Sequence, residues 1–351
     1  MAKYRYNNIN NVSTDKTLKQ LKQLQEERRK KKKDYSFIIP NMKPDLEFLN
    51  RNRTIPTLTW IGHSTFFIQY EGLNIVTDPV WAPRMGLKRR LGVPGVQIED
   101  MPPVDLILIS HSHYDHLHLA SIRQLYQAKT RIIVPAGLKK KLCRKGFSRC
   151  VEMNWWERLQ IGNVSISFVP TQHWTRRTLF DTNSSHWGGY VLEKASVEEQ
   201  VVHPDRPHPP AKVQVKLKDD ELGYKAVTGM SGQLELSSPP VIYFAGDSGY
   251  FTGFKEIGER YNLDVALLPI GAYEPEWFMT PQHTTPEEAI QAFQDCHAKM
   301  MIPMHYGTFK LADDTAREAL DRLEQERLRC DIPEEILKVM IHGETLKLPY
   351  E

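Results

Sequence analysis

The sequence predicts an α/β protein in which two mixed sheets pack face to face and helices flank them on the outside. Short runs of β-branched and aromatic residues, bounded by glycine, proline or aspartate, recur from Thr57 onward, which is typical of strands. Helical patterns lie between many of these runs. Since 40% of the 351 residues are hydrophobic, the chain is long enough to bury a large core.

Ten apolar runs are predicted to be strands. The early ones follow one another as meanders, whereas the later ones alternate with helices, and this mixture favours two sheets over one. In chain order they are Thr57–Gly62, Phe66–Tyr70, Leu73–Pro79, Val104–Ser110, Arg131–Pro135, Val164–His173, Tyr190–Glu193, Val241–Asp247, Val265–Gly271 and Met300–Gly307.

Five segments carry helical patterns. The helix that begins at Pro286 is the best marked, because Thr285 can cap it and proline fits its first position. Glu287 and Glu288 place negative charge in its first turn, where it interacts favourably with the helix dipole. The five segments are Leu119–Ala128, Leu138–Lys145, Gly253–Arg260, Pro286–His297 and Thr315–Leu328.

Two regions interrupt this pattern and divide the chain. Residues 194–240 begin proline-rich and polar and then alternate like a hairpin strand, so we expect a partly flexible insertion within a domain formed by residues 45–351. Residues 1–44 form a separate basic segment, either helical or flexible, in which six consecutive basic residues run from Arg28 to Lys33. Leucines occur there only at Leu18, Leu21 and Leu24 in the helical stretch.

The basic segment allows two interpretations. It could lie as a helix on anionic lipid, where each lysine or arginine near the surface adds on the order of 1 kcal/mol. Alternatively it is a solvated helical tail that improves solubility, and the narrow apolar stripe, without Trp or Phe, favours this second interpretation.

Charge, cysteine content and the lack of long apolar stretches argue against a nucleic-acid-binding, a disulfide-rich or a membrane-spanning protein. A net charge of +3 gives little support for nucleic acid as a partner. The four cysteines are widely spaced and lack a CxxC pair, which favours reduced thiols over a disulfide framework. The chain starts without an apolar signal region and has no apolar stretch long enough to span a bilayer. We therefore expect a cytoplasmic protein, peripheral at the inner membrane surface if residues 1–44 bind lipid.

The stretch SHSHYDHLH, from Ser110 to His118, carries the clearest chemical signal. Crowded histidines repel one another when protonated and contribute little to a core, so a cation among them explains the cluster better. The loop follows a predicted buried strand, and we expect His111 and His113 to point to one side and Asp115 and His116 to another. Neutral imidazole and carboxylate suit Zn²⁺, and they also accept iron or manganese.

Three further candidates lie at the ends of predicted strands, namely His173, Asp247 and His305. A sheet fixes the backbone at such positions while the side chain points into a cleft. An aspartate between two ions can bridge them at a spacing of about 3.5–4 Å. A lone HxH pair usually has no function, but seven ligand-type residues in these positions are a rare coincidence. The residues therefore predict a dinuclear metal site that hydrolyses its substrate with a metal-bridging hydroxide.

The remaining histidines lack this context. We expect them on the surface, and they are His118, His203, His208, His297 and His342.

These features resemble the metallo-β-lactamase superfamily, and more closely the N-acylphosphatidylethanolamine-hydrolysing phospholipase D family with its bacterial relatives. The resemblance covers most of the chain, from about Trp60 to Phe309, and GAYEPEWFM and QHWTRRTLFD are specific to this branch. It is carried by WIGHST, TDPVW, LISHSHYDHL, NWWE, TQHWTRRTLFDTN, HWGGYV, FAGDSGY, IGAYEPEWFM, QHTTPEEA and HYGTF. It implies an αββα sandwich with the metals at one edge.

The resemblance also implies roles for individual residues. It assigns the first metal to His111, His113 and His173. It assigns the second metal to Asp115, His116 and His305, with Asp247 bridging the two ions.

Residues around the ligands receive roles from the same resemblance. Gln282 and His283 match a pair that lines the active site, and His283 either orients the phosphate, protonates the leaving group or caps a helix. His63 and Asp78 are expected beside the ligands, where Asp78 also forms a turn.

A lipid substrate requires an apolar groove, and seven aromatic residues are candidates for its lining or mouth, with Tyr273 and Trp277 as substrate contacts. Core packing is the alternative for each of them. They are Trp155, Trp156, Trp174, Trp187, Tyr273, Trp277 and Phe278.

The function that the resemblance implies is hydrolysis of an N-acyl-phosphatidylethanolamine-like phospholipid at a phosphodiester. Two divalent ions, Zn²⁺ first and Mn²⁺ or Fe as alternatives, would activate water, with Asp115, Asp247 and His283 as catalytic residues. The expected partner is a phospholipid, nucleic acid is not expected, and a homodimer remains open. Three alternatives are a lactonase or small phosphoester hydrolase, an RNA-processing nuclease, and a catalytically idle membrane-binding protein.

The sequence departs from the family at two places, which leaves the lipid selectivity open. The insertion at residues 194–240 is longer than the family's turn, and residues 1–44 have no clear counterpart.

Overall fold

A computed structural model describes residues 5–14, 16–195 and 236–350 of the chain. Within these residues, two mixed sheets form the centre of the molecule. The greater part of the predicted insertion, including the expected hairpin strand, His203 and His208, lies outside the described residues. No helix in the described ranges is both long and apolar enough to cross a bilayer.

The first sheet has seven strands in the order β15-β1-β2-β3-β6-β7-β8. Strands β1 to β3 form the antiparallel meander that the sequence predicts, and β3, β6, β7 and β8 run parallel to one another. The strands are β1 Thr57–Gly62, β2 Thr65–Tyr70, β3 Leu73–Thr77, β6 Leu106–Leu108, β7 Arg131–Pro135, β8 Cys150–Met153 and β15 Thr345–Lys347.

The second sheet has six strands in the order β14-β13-β12-β11-β10-β9. Its strands are β9 Arg158–Ile161, β10 Val164–Val169, β11 Gly189–Lys194, β12 Ile242–Phe244, β13 Val265–Pro269 and β14 Met300–Met304. A separate two-stranded hairpin, β4 Arg84–Met85 with β5 Lys88–Arg89, follows β3.

Eight α-helices accompany the sheets in the described residues. They are α1 Leu18–Lys30, α2 Leu46–Arg51, α3 Leu119–Leu125, α4 Lys139–Cys143, α5 Gly253–Arg260, α6 Glu276–Met279, α7 Pro286–Asp295 and α8 Ala316–Arg329. As predicted, α7 begins at Pro286, and Thr285 caps it through a capping box with Glu288.

The alternation of side chains along the strands explains why the sheets are covered on both faces. On β2, Phe66 and Ile68 belong to the main core cluster, which fills the space between the sheets and also reaches α5, α7 and α8. Phe67 points to the opposite face and joins a second cluster with Ile122 of α3 and Leu142 of α4. This period of two places helices outside both sheets, which confirms the predicted two-sheet architecture.

Strands β4, β5, β8, β9 and β15 and helices α2 and α6 are absent from the prediction. The side chains of β9 are only partly buried and mix charged, polar and apolar types, so this strand lacks the apolar run from which the others were identified. The predicted strand Val164–His173 is also shorter in the structure, because β10 ends at Val169. The residues after Val169 instead form the loop that carries His173.

The N-terminal segment contains α1, which is packed on the domain rather than solvated on all sides. Leu24 is buried against Phe278, Met279 and neighbouring apolar side chains. Arg28 pairs with Asp313 at 2.9 Å between Nε and Oδ1.

Candidate metal centre

The ends of six strands meet at one edge of the sandwich and supply the site. His63 lies in the turn between β1 and β2. The other five strand ends carry Asp78 after β3, the HxHxDH loop after β6, His173 after β10, Asp247 after β12 and His305 after β14. Three of the residues, His63, Asp78 and His305, have φ values of +58°, +34° and +64°. Residues other than glycine rarely adopt such φ values. The backbone is therefore strained at these three positions, where several side chains must converge.

The HxHxDH loop after β6 is fixed by Arg177. Its guanidinium donates to the carbonyl oxygens of Ser112 and Leu117 at 2.8 and 2.9 Å. Its Cζ lies 4.0 Å from the centroid of the Tyr114 ring. An arginine offers several donors in a rigid plane, and here one side chain ties both ends of the loop. The loop is therefore held by contacts outside itself.

One cluster contains His111, His113 and His173, whose ring nitrogens lie close enough to hold a common ion. Nδ1 of His113 is 2.9 Å from Nε2 of His111 and 3.2 Å from Nε2 of His173. Nδ1 of His173, on the other side of the ring, donates to the carbonyl oxygen of Gln282 at 2.8 Å. Since that Nδ1 holds the proton of a neutral ring, Nε2 faces the cluster as a free acceptor.

The second cluster contains Asp115, His116 and His305, together with His63. Oδ2 of Asp115 lies 3.3 Å from Nε2 of His116 and 3.7 Å from Nε2 of His305. His63 lies 3.0 Å from the same carboxylate oxygen. The predicted position of His63 beside a ligand matches this contact, although the side chain is also close enough to bind an ion itself.

Asp78 lies behind the candidate ligands and orients two of them. Its Oδ2 accepts a hydrogen bond from Nδ1 of His116 at 2.7 Å. The hydroxyl of Ser110 donates to the same carboxylate and lies 2.9 Å from Nδ1 of His111. In this network Nδ1 of each histidine faces a fixed partner and Nε2 is directed into the site, which is the orientation that metal binding requires.

Asp247 lies between the two clusters. Its Oδ2 is 3.1 Å from Nε2 of both His116 and His305. The same oxygen is 3.9 Å from Nε2 of His111 and 3.8 Å from Nε2 of His173. One carboxylate oxygen thus faces ring nitrogens of both clusters.

The residues fit divalent ions because several buried polar atoms have no hydrogen-bond partner in the described structure. Among them are Nε2 of His116, Nε2 of His305 and Oδ1 of Asp247. Leaving such atoms unpaired costs about 1–3 kcal/mol each, and a bound cation would satisfy all three. Imidazole and carboxylate donors in this number suit zinc, iron or manganese.

Electrostatics divide the histidines into two groups. Burial lowers the pKa of His113 to about 3 and that of His173 to about 4, so both rings are neutral near pH 7, the form in which a histidine can bind a metal ion. Burial also opposes protonation of His305, but the carboxylates of Asp247 and Asp115 outweigh it and raise its pKa to about 9. The carboxylates therefore attract positive charge into the site, and protons would have to leave when metal ions bind.

His283 lies at the rim of the centre, and Gln282 contributes mainly through its backbone. The His283 ring is 5.1 Å from that of His173 and 5.4 Å from that of His305, and its Nδ1 lies 3.9 Å from Oδ2 of Asp247. The carbonyl of Gln282 fixes His173, as described above. Both side chains are buried, and their assignment as substrate contacts stays a prediction.

The aromatic residues occupy varied positions. The Trp174 ring lies 4.8 Å from the His113 ring, at the site. Tyr273 is fully buried in the main core cluster, whereas Trp277 is 39% exposed and its Nε1 donates to Glu27 of α1. Contacts of Tyr273 and Trp277 with substrate stay predictions. Trp155, Trp156, Trp187 and Phe278 pack with hydrophobic clusters or neighbouring aromatic rings.

Of the five histidines that were expected on the surface, three lie within the described residues. His297 is exposed, and His118 is partly buried and caps α3 by accepting from the backbone N–H of Ser121. The prediction for His342 is wrong, because this ring is fully buried with an edge-on contact to Trp60 at 4.7 Å. His342 directly follows the apolar residues Val339, Met340 and Ile341, but its burial depends on contact with the distant β1.

Comparisons with known proteins agree with this geometry. The family profile described as "Beta-lactamase superfamily domain" matches residues 73–219 and 228–306. A mitochondrial N-acyl-phosphatidylethanolamine-hydrolyzing phospholipase D of Saccharomyces cerevisiae is 31% identical over 279 residues, covering 76% of this chain and 50% of the yeast protein. N-acyl-phosphatidylethanolamine-hydrolyzing phospholipase D 1 of Caenorhabditis elegans is 31% identical over 271 residues, covering 72% of this chain and 64% of the nematode protein. The chain therefore aligns with between half and two thirds of the length of these relatives.

A solved structure shares the fold. Igni18, described as a novel metallo hydrolase from the archaeon Ignicoccus hospitalis, superimposes with a TM-score of 0.55 at 22% identity. The superposition covers 85% of this chain and 100% of the archaeal one.

Proposed function

Because this chain belongs to the β-lactamase superfamily, we propose that it is a dinuclear metal-dependent hydrolase that cleaves a phosphodiester of N-acyl-phosphatidylethanolamine-like phospholipids. The position of Oδ2 of Asp247, within 3.9 Å of ring nitrogens from both histidine clusters, carries the hydrolase part of this proposal. The names of the yeast and nematode relatives support the lipid part.

The two clusters would each hold one ion. His111, His113 and His173 supply three neutral ring nitrogens on one side, while the second cluster supplies a carboxylate as well. When bound, the ions supply Lewis acidity, which makes water nucleophilic at neutral pH and offsets charge on phosphoryl oxygens. We propose zinc as the metal, and iron or manganese would fit the same donors.

The chain's own residues would position water and substrate around this centre. The carboxylates of Asp115 and Asp247 can accept a hydrogen bond from the attacking water and so direct its lone pair toward phosphorus. As the new P–O bond forms, the bond to the N-acylethanolamine oxygen breaks. The attacking water releases one proton through these carboxylates, and the leaving oxygen takes up one proton in exchange, so that the step balances. The products would be phosphatidic acid and an N-acylethanolamine.

We propose that the main role of His283 is to bind the phosphate, and not to protonate the leaving group. Burial holds the pKa of His283 well below its usual range, so the ring is neutral and donates one hydrogen bond. A neutral donor at the rim can orient a phosphoryl oxygen without placing a second positive charge beside the metals.

Apolar loops near the site support a lipid substrate. Leu179 and Phe180 are each 82% exposed, on the loop whose Arg177 holds the HxHxDH loop. Leu87 is 93% exposed at the tip of the β4–β5 hairpin, between the exposed basic residues Arg84 and Lys88. Exposed apolar side chains flanked by positive charge are typical of surfaces that bind anionic membranes.

Membrane association through residues 1–44 remains a second, separate proposal. Lys31 and Lys33 lie 3.3 and 3.0 Å from Oε2 of Glu274, so they and Arg28 interact with acidic residues of the domain. Arg29, Lys30 and Lys32 are exposed and remain accessible to lipid headgroups.

A substrate panel tests the proposed function. Zinc-loaded protein should hydrolyse N-acyl-phosphatidylethanolamine and release phosphatidic acid, with little turnover of lactones or RNA. Preferred turnover of a lactone or a small phosphoester would overturn the lipid assignment and leave the hydrolase assignment in place. RNA cleavage with a steep dependence on salt would instead indicate a nuclease.

A further inference from the structure

The residues before α1 contact the wall of the metal centre through one buried side chain. Asn8 is 8% exposed, and its Oδ1 accepts hydrogen bonds from the backbone N–H of His173 and from Nε1 of Trp187, both at 3.0 Å. Its Nδ2 donates to the carbonyl oxygen of Val12 at 3.0 Å. The amide of Asn8 thus joins the N-terminal segment to a loop that carries a candidate ligand.

The neighbouring residue strengthens this attachment. The ring of Tyr6 stacks on that of His186 with 4.4 Å between centroids, and the backbone N–H of Tyr6 donates to the carbonyl of Asn183 at 2.9 Å. His173 and Trp187 stand near the two ends of the connection between β10 and β11. Asn8 therefore ties both ends of this connection together.

The backbone of His173 depends on this contact. Because β10 ends at Val169, the N–H of His173 lies beyond the paired residues of the strand and is bonded to the side chain of Asn8 instead. A buried N–H group without a partner is unfavourable. The Gln282 carbonyl fixes the ring of His173 and Asn8 fixes its main chain, so the two contacts together determine where Nε2 points.

We propose that Asn8 is a positioning residue for the metal centre, acting through His173. The inference rests on the proposed function only in requiring that His173 binds a metal ion. It assigns the N-terminal segment a role in holding the ion, in addition to any contact with lipid. Neighbours that orient a ligand typically change metal affinity by about 10–100-fold when they are removed.

Three variants separate positioning from general stability. Asn8→Ala removes the acceptor and leaves the N–H of His173 unpaired, whereas Nε1–H of Trp187 keeps the carbonyl oxygen of Thr171 at 3.1 Å. Asn8→Asp keeps an acceptor oxygen in the same place and replaces the donor to Val12 with a second carboxylate oxygen, which adds a negative charge facing the Val12 carbonyl. Asn7→Ala changes the adjacent residue of the same type, which is exposed, and serves as the matched control.

The experiment is a titration of metal-free full-length protein with Zn²⁺ in competition with a chromophoric chelator, repeated with Co²⁺ to record its visible absorption. Asn8→Ala should weaken the binding of one ion by about 10-fold or more and change the Co²⁺ spectrum. The zinc affinity of Asn8→Asp should stay within about threefold of that of the unaltered protein, because this variant keeps the acceptor. Asn7→Ala should bind zinc as tightly as the unaltered protein does.

Two results would overturn the proposal. In the first, Asn8→Ala keeps normal affinity and a normal Co²⁺ spectrum, even if its thermal stability falls. In the second, Asn8→Asp is as impaired as Asn8→Ala. Failure of the unaltered protein to bind any Zn²⁺ would instead contradict the proposed function, so the two failures are distinguishable.

Discussion

At the scale of single residues, the ligand-type side chains could be predicted because each follows an apolar run. His111, His173, Asp247 and His305 all stand shortly after a strand, and that position is visible in the sequence. Asn8 could not be predicted in this way, because it lies 165 residues from His173 and no periodicity connects the two. Contacts between distant segments depend on the tertiary fold.

Asp78 provides a residue-scale prediction about metal affinity. Asp78→Asn removes the negative charge that holds Nδ1–H of His116, so Nε2 of that ring becomes a weaker and less well oriented donor. Zinc affinity should fall by about 10–100-fold in a chelator competition assay. Asp321→Asn changes an exposed aspartate of α8 and should have no effect. Unchanged affinity for Asp78→Asn would show that His116 needs no such partner.

His342 provides a residue-scale prediction about acid stability. Burial lowers the pKa of His342 to about 3, so between pH 6.5 and 3 the unfolded chain binds a proton that the folded protein does not. Stability from this group is complete above pH 6.5 and is lost as the pH falls, by up to about 1.4 kcal/mol per pH unit.

Urea unfolding at pH 4.5 and 7 measures this effect. His342→Gln should lose less unfolding free energy between the two pH values than the unaltered protein does. His297→Gln, at an exposed position, serves as the control and should leave the difference unchanged. An equal loss in His342→Gln and the unaltered protein would mean that this ring does not contribute to acid unfolding.

At the scale of elements, the buried strands were predictable and the partly exposed ones were not. Strand β2 is fully buried and contains the apolar run Phe66–Ile68, whereas β9 mixes charged, polar and apolar residues and is partly exposed. Residues 1–44 were expected to be either helical or flexible, and the packing of α1 was not predicted. Leu24 contacts the cluster that contains Phe278, a residue far along the chain that the local pattern cannot reveal.

The loop after His173 provides a prediction at the scale of elements. The double variant Leu179→Asp/Phe180→Asp removes two exposed apolar side chains and adds negative charge. Its affinity for vesicles of phosphatidylcholine with phosphatidylserine should fall by about tenfold or more, because burial of one such side chain contributes about 1.5–3 kcal/mol. Sedimentation with the vesicles measures the binding.

The control for this loop is Leu328→Asp, which alters an apolar residue of α8 that is 59% exposed. It should bind vesicles normally. Equal binding by the loop variant and the unaltered protein would show that these side chains do not contact the bilayer.

At the scale of the whole molecule, the two-sheet sandwich followed from the order of strands and helices, and the position of the site at one edge was implied by the family resemblance. The sequence could not show which strand ends would meet, because that depends on strand order within each sheet. In the structure, β6 and β12 belong to different sheets, yet the loops after them bring His116 and Asp247 to 3.1 Å. The metal centre is therefore a property of how the two sheets pack.

Metal content tests this central claim most directly. Elemental analysis of the purified, zinc-loaded protein should give two ions per chain, and Asp247→Ala should lose the paired ions and essentially all turnover while its circular dichroism spectrum stays that of a folded protein. Asp264→Ala, at an aspartate that pairs with Lys299 away from the site, should keep both ions. An Asp247→Ala protein that retains two ions and a near-normal rate would contradict the account.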